Sequence, residues 1–167
     1  MKQGIINLVA IVLVMAFTLP AFSQELPEVT VVAVNYKYLK AVGDKESAPV
    51  VQKLQHMAAT YDVKNSEYYE DDYDNYFISF FIPEGKILAA YDNKGKLIRT
   101  AEKFKNVKLP AAVSSAVVNR FPKWRTAKDV YLVTYYDEKG SSKMYTILLE
   151  NGDKRMKVKV NESGEFL

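Results

Sequence analysis

Residues able to perform catalysis are sparse in this chain of 167 residues, which has no cysteine and a single histidine, His56. A serine–histidine–carboxylate set would have to use that histidine, and no Gly-x-Ser-x-Gly motif presents a serine to it. The chain also lacks a Gly-x-x-x-x-Gly-Lys and a Gly-x-Gly-x-x-Gly phosphate-binding loop. We therefore predict no catalytic residues, no enzyme activity and no cofactor, and we expect His56 on a helix surface.

The composition also offers few side chains that could bind a metal ion. A structural zinc site requires cysteine or several histidines, so none is predicted. The acidic run of Glu67, Glu70, Asp71, Asp72 and Asp74 offers oxygen atoms of the kind that calcium prefers. The run lacks the glycine and the distal glutamate of an EF-hand loop, and acidic runs are commonly just solvated. We predict no metal site, and calcium at this run stays open as an alternative.

The same acidic segment, around residues 66–76, is the strongest candidate for binding because tyrosines are interleaved with its carboxylates. Tyrosine provides a large contact area at low entropic cost and is enriched in interfaces. The candidate binding residues are Tyr68, Tyr69, Asp71, Asp72, Tyr73, Asp74 and Tyr76. They would contact a basic patch on a protein or peptide. Alternatively, some of these tyrosines pack into the core with their hydroxyls at its rim.

Residues 1–23 have the order of a secretory signal peptide. Lys2 precedes an apolar stretch at residues 5–17, and Pro20 and small residues follow. The stretch is shorter than the ~20 residues of a membrane-spanning helix, although an uncleaved anchor is an alternative. We predict a periplasmic or extracellular protein that begins near Gln24 after cleavage and has no membrane span thereafter.

Charge gives a weaker indication of the partner. The net charge of +3 is too small to favour nucleic acid, so no nucleic-acid partner is predicted. Residues 24–100 carry more acidic than basic groups, whereas residues 101–167 carry more basic than acidic ones. Such a distribution predicts a dipolar surface that could steer a partner, or simply an ordinarily solvated one.

The elements that must position these residues follow from apolar periodicity and turn chemistry. Helices are predicted from Pro49 to Met57 and from Pro110 to Phe121. Strands are predicted at residues 29–36, 76–82 (a buried one), 86–91, 96–100, 130–136, 144–150 and 155–160. Similar spacing in the two halves predicts an α+β fold of two tandem helix-plus-antiparallel-sheet units, the first at residues 24–100 and the second at residues 101–167.

The second half also resembles a known family. The residues that carry the resemblance are Tyr91–Leu97, Leu109–Val113, Phe121–Trp124, Asn151-Gly152 and Asn161–Leu167. Over roughly residues 85–167 this pattern resembles the PepSY-like family of secreted domains, whose fold is similar to that of β-lactamase-inhibitor proteins. The resemblance implies a domain that binds rather than catalyses, that could inhibit an envelope peptidase or hydrolase, and that has no catalytic residues to carry over.

Together these observations predict a secreted, non-enzymatic domain that recognises a protein or peptide in the cell envelope. Two alternatives remain open. One is a structural or stress-related periplasmic protein without a dedicated partner. The other is a small envelope enzyme, which would require a carboxylate pair in a deep pocket.

Overall fold

The structure is a computed structural model that describes residues 35–44 and 46–167. The predicted signal peptide and nearly all of the strand predicted at residues 29–36 lie outside the described residues. At the end of that predicted strand, Tyr36 instead begins a helix.

Within the described residues, three helices and six strands follow one another along the chain. The helices are α1 (Tyr36–Val42), α2 (Pro49–Thr60) and α3 (Ala111–Arg120). The strands are β1 (Asn75–Ile82), β2 (Gly85–Asp92), β3 (Leu97–Lys105), β4 (Arg125–Tyr136), β5 (Gly140–Asn151) and β6 (Lys154–Asn161). The predicted α+β class is confirmed, and two tandem units remain a prediction.

The six strands form a single antiparallel sheet in the order in which they occur along the chain. Each strand therefore pairs with its sequence neighbour, and among the described residues β1 and β6 form the two edges of the sheet. The prediction of β1 as a buried strand is wrong on one face, since Phe77 and Phe81 are 69% and 79% exposed. Their side chains alternate with the buried Tyr76 and Phe80, as the two-residue period of a strand requires.

One face of the sheet carries the hydrophobic core. On β4, for example, Tyr131, Val133 and Tyr135 are buried and alternate with more exposed residues. Helix α2 lies on this face, where the hydroxyl of Tyr91 donates a hydrogen bond of 2.5 Å to the carbonyl oxygen of Ala58. The core therefore lies between the helices and one side of the sheet.

Helix α1 is held by side chains distant in sequence. The hydroxyl of Tyr38 donates to the carboxylate of Glu102 at 2.8 Å, and its ring packs edge-on against Tyr135. The carboxylate of Asp137 lies 2.8 Å from the Lys37 ammonium and 2.5 Å from that of Lys96. Hydrogen bonds with these two lysines lower the pKa of Asp137 to about 2.

The closing hairpin at Gly164 depends on close approach to helix α3. Gly164 has a φ of 88°, and an added Cβ would lie 2.9 Å from the carbonyl oxygen of Ala112 and 3.1 Å from the Cβ of Ala116. Glycine thus provides both the left-handed conformation and the room for the helix.

We expect Gly164→Ala to lower the free energy of unfolding by about 2–3 kcal/mol, from strain at positive φ plus a clash with the α3 backbone. Gly95→Ala is the matched control, because Gly95 has a φ of 81° but no atom within 4 Å of an added Cβ. That control should cost only about 1 kcal/mol in a urea titration. Equal losses for the two variants would contradict the proposed helix contact.

Candidate functional site

The tyrosine-rich segment lies between α2 and β1, where two turns bring its side chains together. The N–H of Tyr69 donates to the carbonyl of Ser66, and the N–H of Tyr73 donates to the carbonyl of Glu70, each at 3.2 Å. The segment then enters the sheet at Asn75, so the loop is positioned at one end of the edge strand β1.

Two of the candidate tyrosines form the packed side of this loop. Tyr76 is 4% exposed, and its hydroxyl donates to the carbonyl oxygen of Glu70. Tyr69 is half-buried and stacks on Tyr76 with ring centroids 5.5 Å apart. These two side chains therefore stabilise the loop from beneath, as in the core-packing alternative.

The remaining candidates face outward. Tyr68 and Tyr73 are 60% and 52% exposed, and together with Phe77 they line a shallow depression beside β1. Asp71, Asp72 and Asp74 are also exposed and form no salt bridge with any residue that the structure describes. The loop thus presents aromatic rings and uncompensated negative charge to solvent.

Two phenol groups of the loop lie beside carboxylates of the same loop. A hydrogen bond with Glu67 raises the pKa of Tyr68, and one with Asp71 raises the pKa of Tyr69.

A second candidate surface is the side of the sheet opposite the helices, which we call the open face. Its centre is a strip of half-buried apolar side chains: Val130 and Leu132 on β4, and Met144 and Leu148 on β5. The pairing of Leu132 with Met144 places two of them directly opposite each other across the strands. No described helix packs on this strip.

Basic side chains surround the strip. The cations of the open face are Lys86 on β2, Arg99, Lys103 and Lys105 on β3, Arg125 and Lys128 on β4, and Arg155, Lys157 and Lys159 on β6. Glu150 on β5 is paired by both Arg125 and Arg155. The other cations of this face form no salt bridge within the described part of the chain, so the face has a positive potential.

Sequence reasoning identified only part of this surface. In the strand predicted at residues 155–160, the alternation around Lys157 and Lys159 is typical of a solvated sheet face or a protected edge, and both lysines are exposed on β6. The charge asymmetry between the halves was the only other signal. Assembling the face requires the register of β2 to β6, which places cations from four strands on the same side.

A buried carboxylate is the remaining chemically notable group. Glu102 is 3% exposed and accepts hydrogen bonds from Tyr38 (2.8 Å), Gln55 (2.9 Å) and Thr100 (2.8 Å). Burial raises the pKa of Glu102, and the three donors oppose that shift. All of these partners belong to the core, so the arrangement connects α1, α2 and β3.

His56 lies on the exposed face of α2, as predicted. Across residues 35–44 and 46–167, no three His, Cys, Asp or Glu side chains are grouped so that they could hold a metal ion. No helix in that part of the chain is long and apolar enough to cross a membrane.

The chain matches no protein-family profile and no curated protein. It is similar to a solved DUF2874 family protein from Bacteroides ovatus at 13% identity, covering 59% of this chain and 70% of that one, with a TM-score of 0.35. It is also similar to a BLIP-like protein from Bacteroides fragilis at 19% identity, covering 59% of this chain and 68% of that one, with a TM-score of 0.32. Similarity at this level carries no conclusion about family or function.

Proposed function

We propose that this chain is a secreted, non-enzymatic binding domain of the cell envelope that recognises an acidic protein or peptide on the open face of its sheet. The observation that carries the proposal is the open face itself, an apolar strip surrounded by cations, most of which have no salt-bridge partner in the described part of the chain. Charge around an apolar centre is the arrangement by which interfaces combine steering with burial.

An acidic partner fits this surface better than a neutral one. Carboxylates would pair with cations such as Lys128, Lys157 and Lys159, which are exposed and free of ion pairs within the described residues. Apolar groups of the partner would cover Leu132 and Met144. Association should therefore be fast at low ionic strength and weaker as salt is added.

The signal-like residues 1–23 support an envelope location, and the resemblance of residues 85–167 to PepSY-like domains supports binding rather than catalysis. A partner that is itself a peptidase or hydrolase would make inhibition the biological outcome. Inhibition would then follow from covering the enzyme's surface, without any chemistry by this chain.

We expect the immobilised protein to capture an acidic partner from an envelope extract. The triple variant Lys128→Glu, Lys157→Glu and Lys159→Glu should reduce the affinity by about a hundredfold or more, because each introduced carboxylate would oppose one on the partner. Affinity can be measured by surface plasmon resonance with the captured protein, at low and high salt.

A matched control changes the net charge equally at a distance from the open face. The variant Lys53→Glu, Lys64→Glu and Lys94→Glu alters exposed lysines in α2, in the loop that follows it and in the β2–β3 turn. It should retain the partner with nearly unchanged affinity. If both triple variants bind as tightly as the wild type, the partner does not contact the open face, and the proposal fails.

A further inference from the structure

The two edges of the sheet differ in how they are protected. On β6, Arg155, Lys157 and Lys159 line the strand, and Phe166 forms a bridge to Val160. Charged side chains of this kind prevent an edge from pairing with another strand. The other edge, β1, contains no charged residue between its first and last positions, so it lacks this protection.

The backbone groups of β1 that have no partner among residues 35–44 and 46–167 can be identified from the register. The N–H of Lys105 donates to the carbonyl of Glu84 at 2.8 Å, so the even-numbered residues at this end of β2 face β3. The odd-numbered residues of β2 therefore bond to their partners on β1, which are even-numbered. Phe77, Ser79 and Phe81 consequently direct their N–H and C=O groups away from the sheet.

We propose that β1 pairs antiparallel with β1 of a second copy of this chain, about a two-fold axis at Ser79. In this register Ser79 lies opposite its own counterpart, and Phe77 lies opposite the partner's Phe81 on the open side of the sheet. The two phenylalanines are among the most exposed large apolar side chains of the described chain, at 69% and 79%. Aromatic cross-strand pairs would then cover both residues in both copies.

Neighbouring registers are less favourable. A shift of one residue would set core-facing side chains opposite outward-facing ones. A shift of two residues in one direction sets Phe77 opposite the partner's Ser79 and separates the phenylalanines. The same shift in the other direction sets Phe77 opposite Pro83, which has no N–H to donate.

The charges at the ends of β1 favour a second copy of this chain as the partner that pairs with this edge. Asp72 and Asp74 precede the strand, whereas at its other end Lys86, Lys103 and Lys105 line a groove and outnumber the exposed Glu84. Neither group forms a salt bridge with the residues described. Antiparallel pairing brings the acidic end of each copy beside the basic end of the other, so both sets of charges gain partners.

Pairing would join the two sheets into one continuous sheet, with the open faces of both copies on the same side. This inference does not rest on the proposed function, since it concerns the edge of the sheet and requires no other protein.

Sedimentation equilibrium of the purified protein, over about a hundredfold range of concentration, should show a monomer–dimer equilibrium governed by mass action. Ser79→Lys places two ammonium groups face to face across the axis and should shift this equilibrium to the monomer. Circular dichroism would verify that the variant remains folded. A monomer at every concentration for the wild type, or an unchanged dimer for Ser79→Lys, would overturn the proposal.

A cross-linking measurement tests the register separately. Because the chain has no cysteine, Ser79→Cys introduces a single thiol, which would face its counterpart across the axis. Mild oxidation should convert this variant to a disulfide-linked dimer at least about tenfold faster than Lys154→Cys at the opposite edge, since pairing raises the effective concentration of the thiols. Equal rates would overturn the register. The triple reversal on the open face should leave the rate unchanged, so failure here and failure of partner binding are distinguishable.

Discussion

Replacing Glu102 with alanine is expected to lower the free energy of unfolding by about 3–5 kcal/mol, because three buried donors lose their acceptor. The carboxylate accepts hydrogen bonds from Tyr38 on α1, Gln55 on α2 and Thr100 on β3. Alanine would leave these three buried donors without an acceptor, and each unsatisfied group costs about 1–3 kcal/mol. Since this carboxylate joins α1 and α2 to β3, both helices should loosen.

Two further variants separate the contribution of the hydrogen-bond network to stability from that of the side chain's volume. Glu102→Gln keeps the shape and one acceptor oxygen but directs an N–H toward a donor, so it should lose about 1–3 kcal/mol. Glu138→Ala removes an exposed carboxylate and should stay within about 0.5 kcal/mol of the wild type. Urea titrations followed by circular dichroism provide all three values. A loss below about 1 kcal/mol for Glu102→Ala would show that the network is not needed for stability.

The same residue makes stability depend on pH in a defined direction. Burial raises the pKa of Glu102 in the folded protein above its ordinary value of 4.5. Its contribution to stability is therefore fully present below the unfolded pKa and is lost as pH rises through the folded pKa. The stability difference between the wild type and Glu102→Gln should accordingly shift against the wild type as pH increases from about 4. The opposite slope would mean that the three donors outweigh burial.

Local signals were sufficient for most of the fold. Pro49 opens α2, as a proline in the first turn of a helix predicts. Asn151-Gly152 turns the chain between β5 and β6, as an Asn-Gly pair predicts. The six strands predicted from residue 76 onward are found, although β3 continues to Lys105 and β4 begins at Arg125. Turn chemistry and alternation depend only on neighbouring residues, which is why they can be read from one sequence.

Helix α1 is an element that local sequence signals do not predict. Its residues, YKYLKAV, include β-branched and aromatic types that favour strands, and no side chain caps its first turn. The contacts of Tyr38 with Glu102 and Tyr135 hold it, and those residues lie far along the chain. Similarly, the apolar sequence of β1 predicts burial on both faces, whereas its place at the edge depends on the order of all six strands.

The two candidate sites also differ in whether neighbouring residues are enough to predict them. The tyrosine-rich loop is visible in the sequence because its residues are contiguous. The open face is not, because its apolar strip and its cations come from separate strands that only the register aligns. Which tyrosines of the loop are free to bind is likewise decided by packing beneath it.

The packing beneath the loop leads to a second large expected effect on stability. Replacing Tyr76 should cost far more than replacing Tyr73, although the two lie only three residues apart. Tyr76→Ala should lower the free energy of unfolding by about 3–5 kcal/mol, because it empties a buried aromatic site. It also removes the ring on which Tyr69 stacks and the hydroxyl that bonds to the carbonyl of Glu70. Tyr73→Ala, at a side chain 52% exposed, should cost less than about 1 kcal/mol.

Tyr76→Phe distinguishes the ring from its hydroxyl. Loss of the single hydrogen bond to Glu70 should cost about 0.5–1.5 kcal/mol, well below the cost of losing the ring. Thermal and urea unfolding of the three variants would establish the order. If Tyr73→Ala proved as destabilising as Tyr76→Ala, the exposed side of the loop would also be part of the core. The expected order instead leaves Tyr68 and the exposed part of Tyr73 able to contact a partner, because Tyr76, against which both Tyr69 and Tyr73 pack, holds the loop in place.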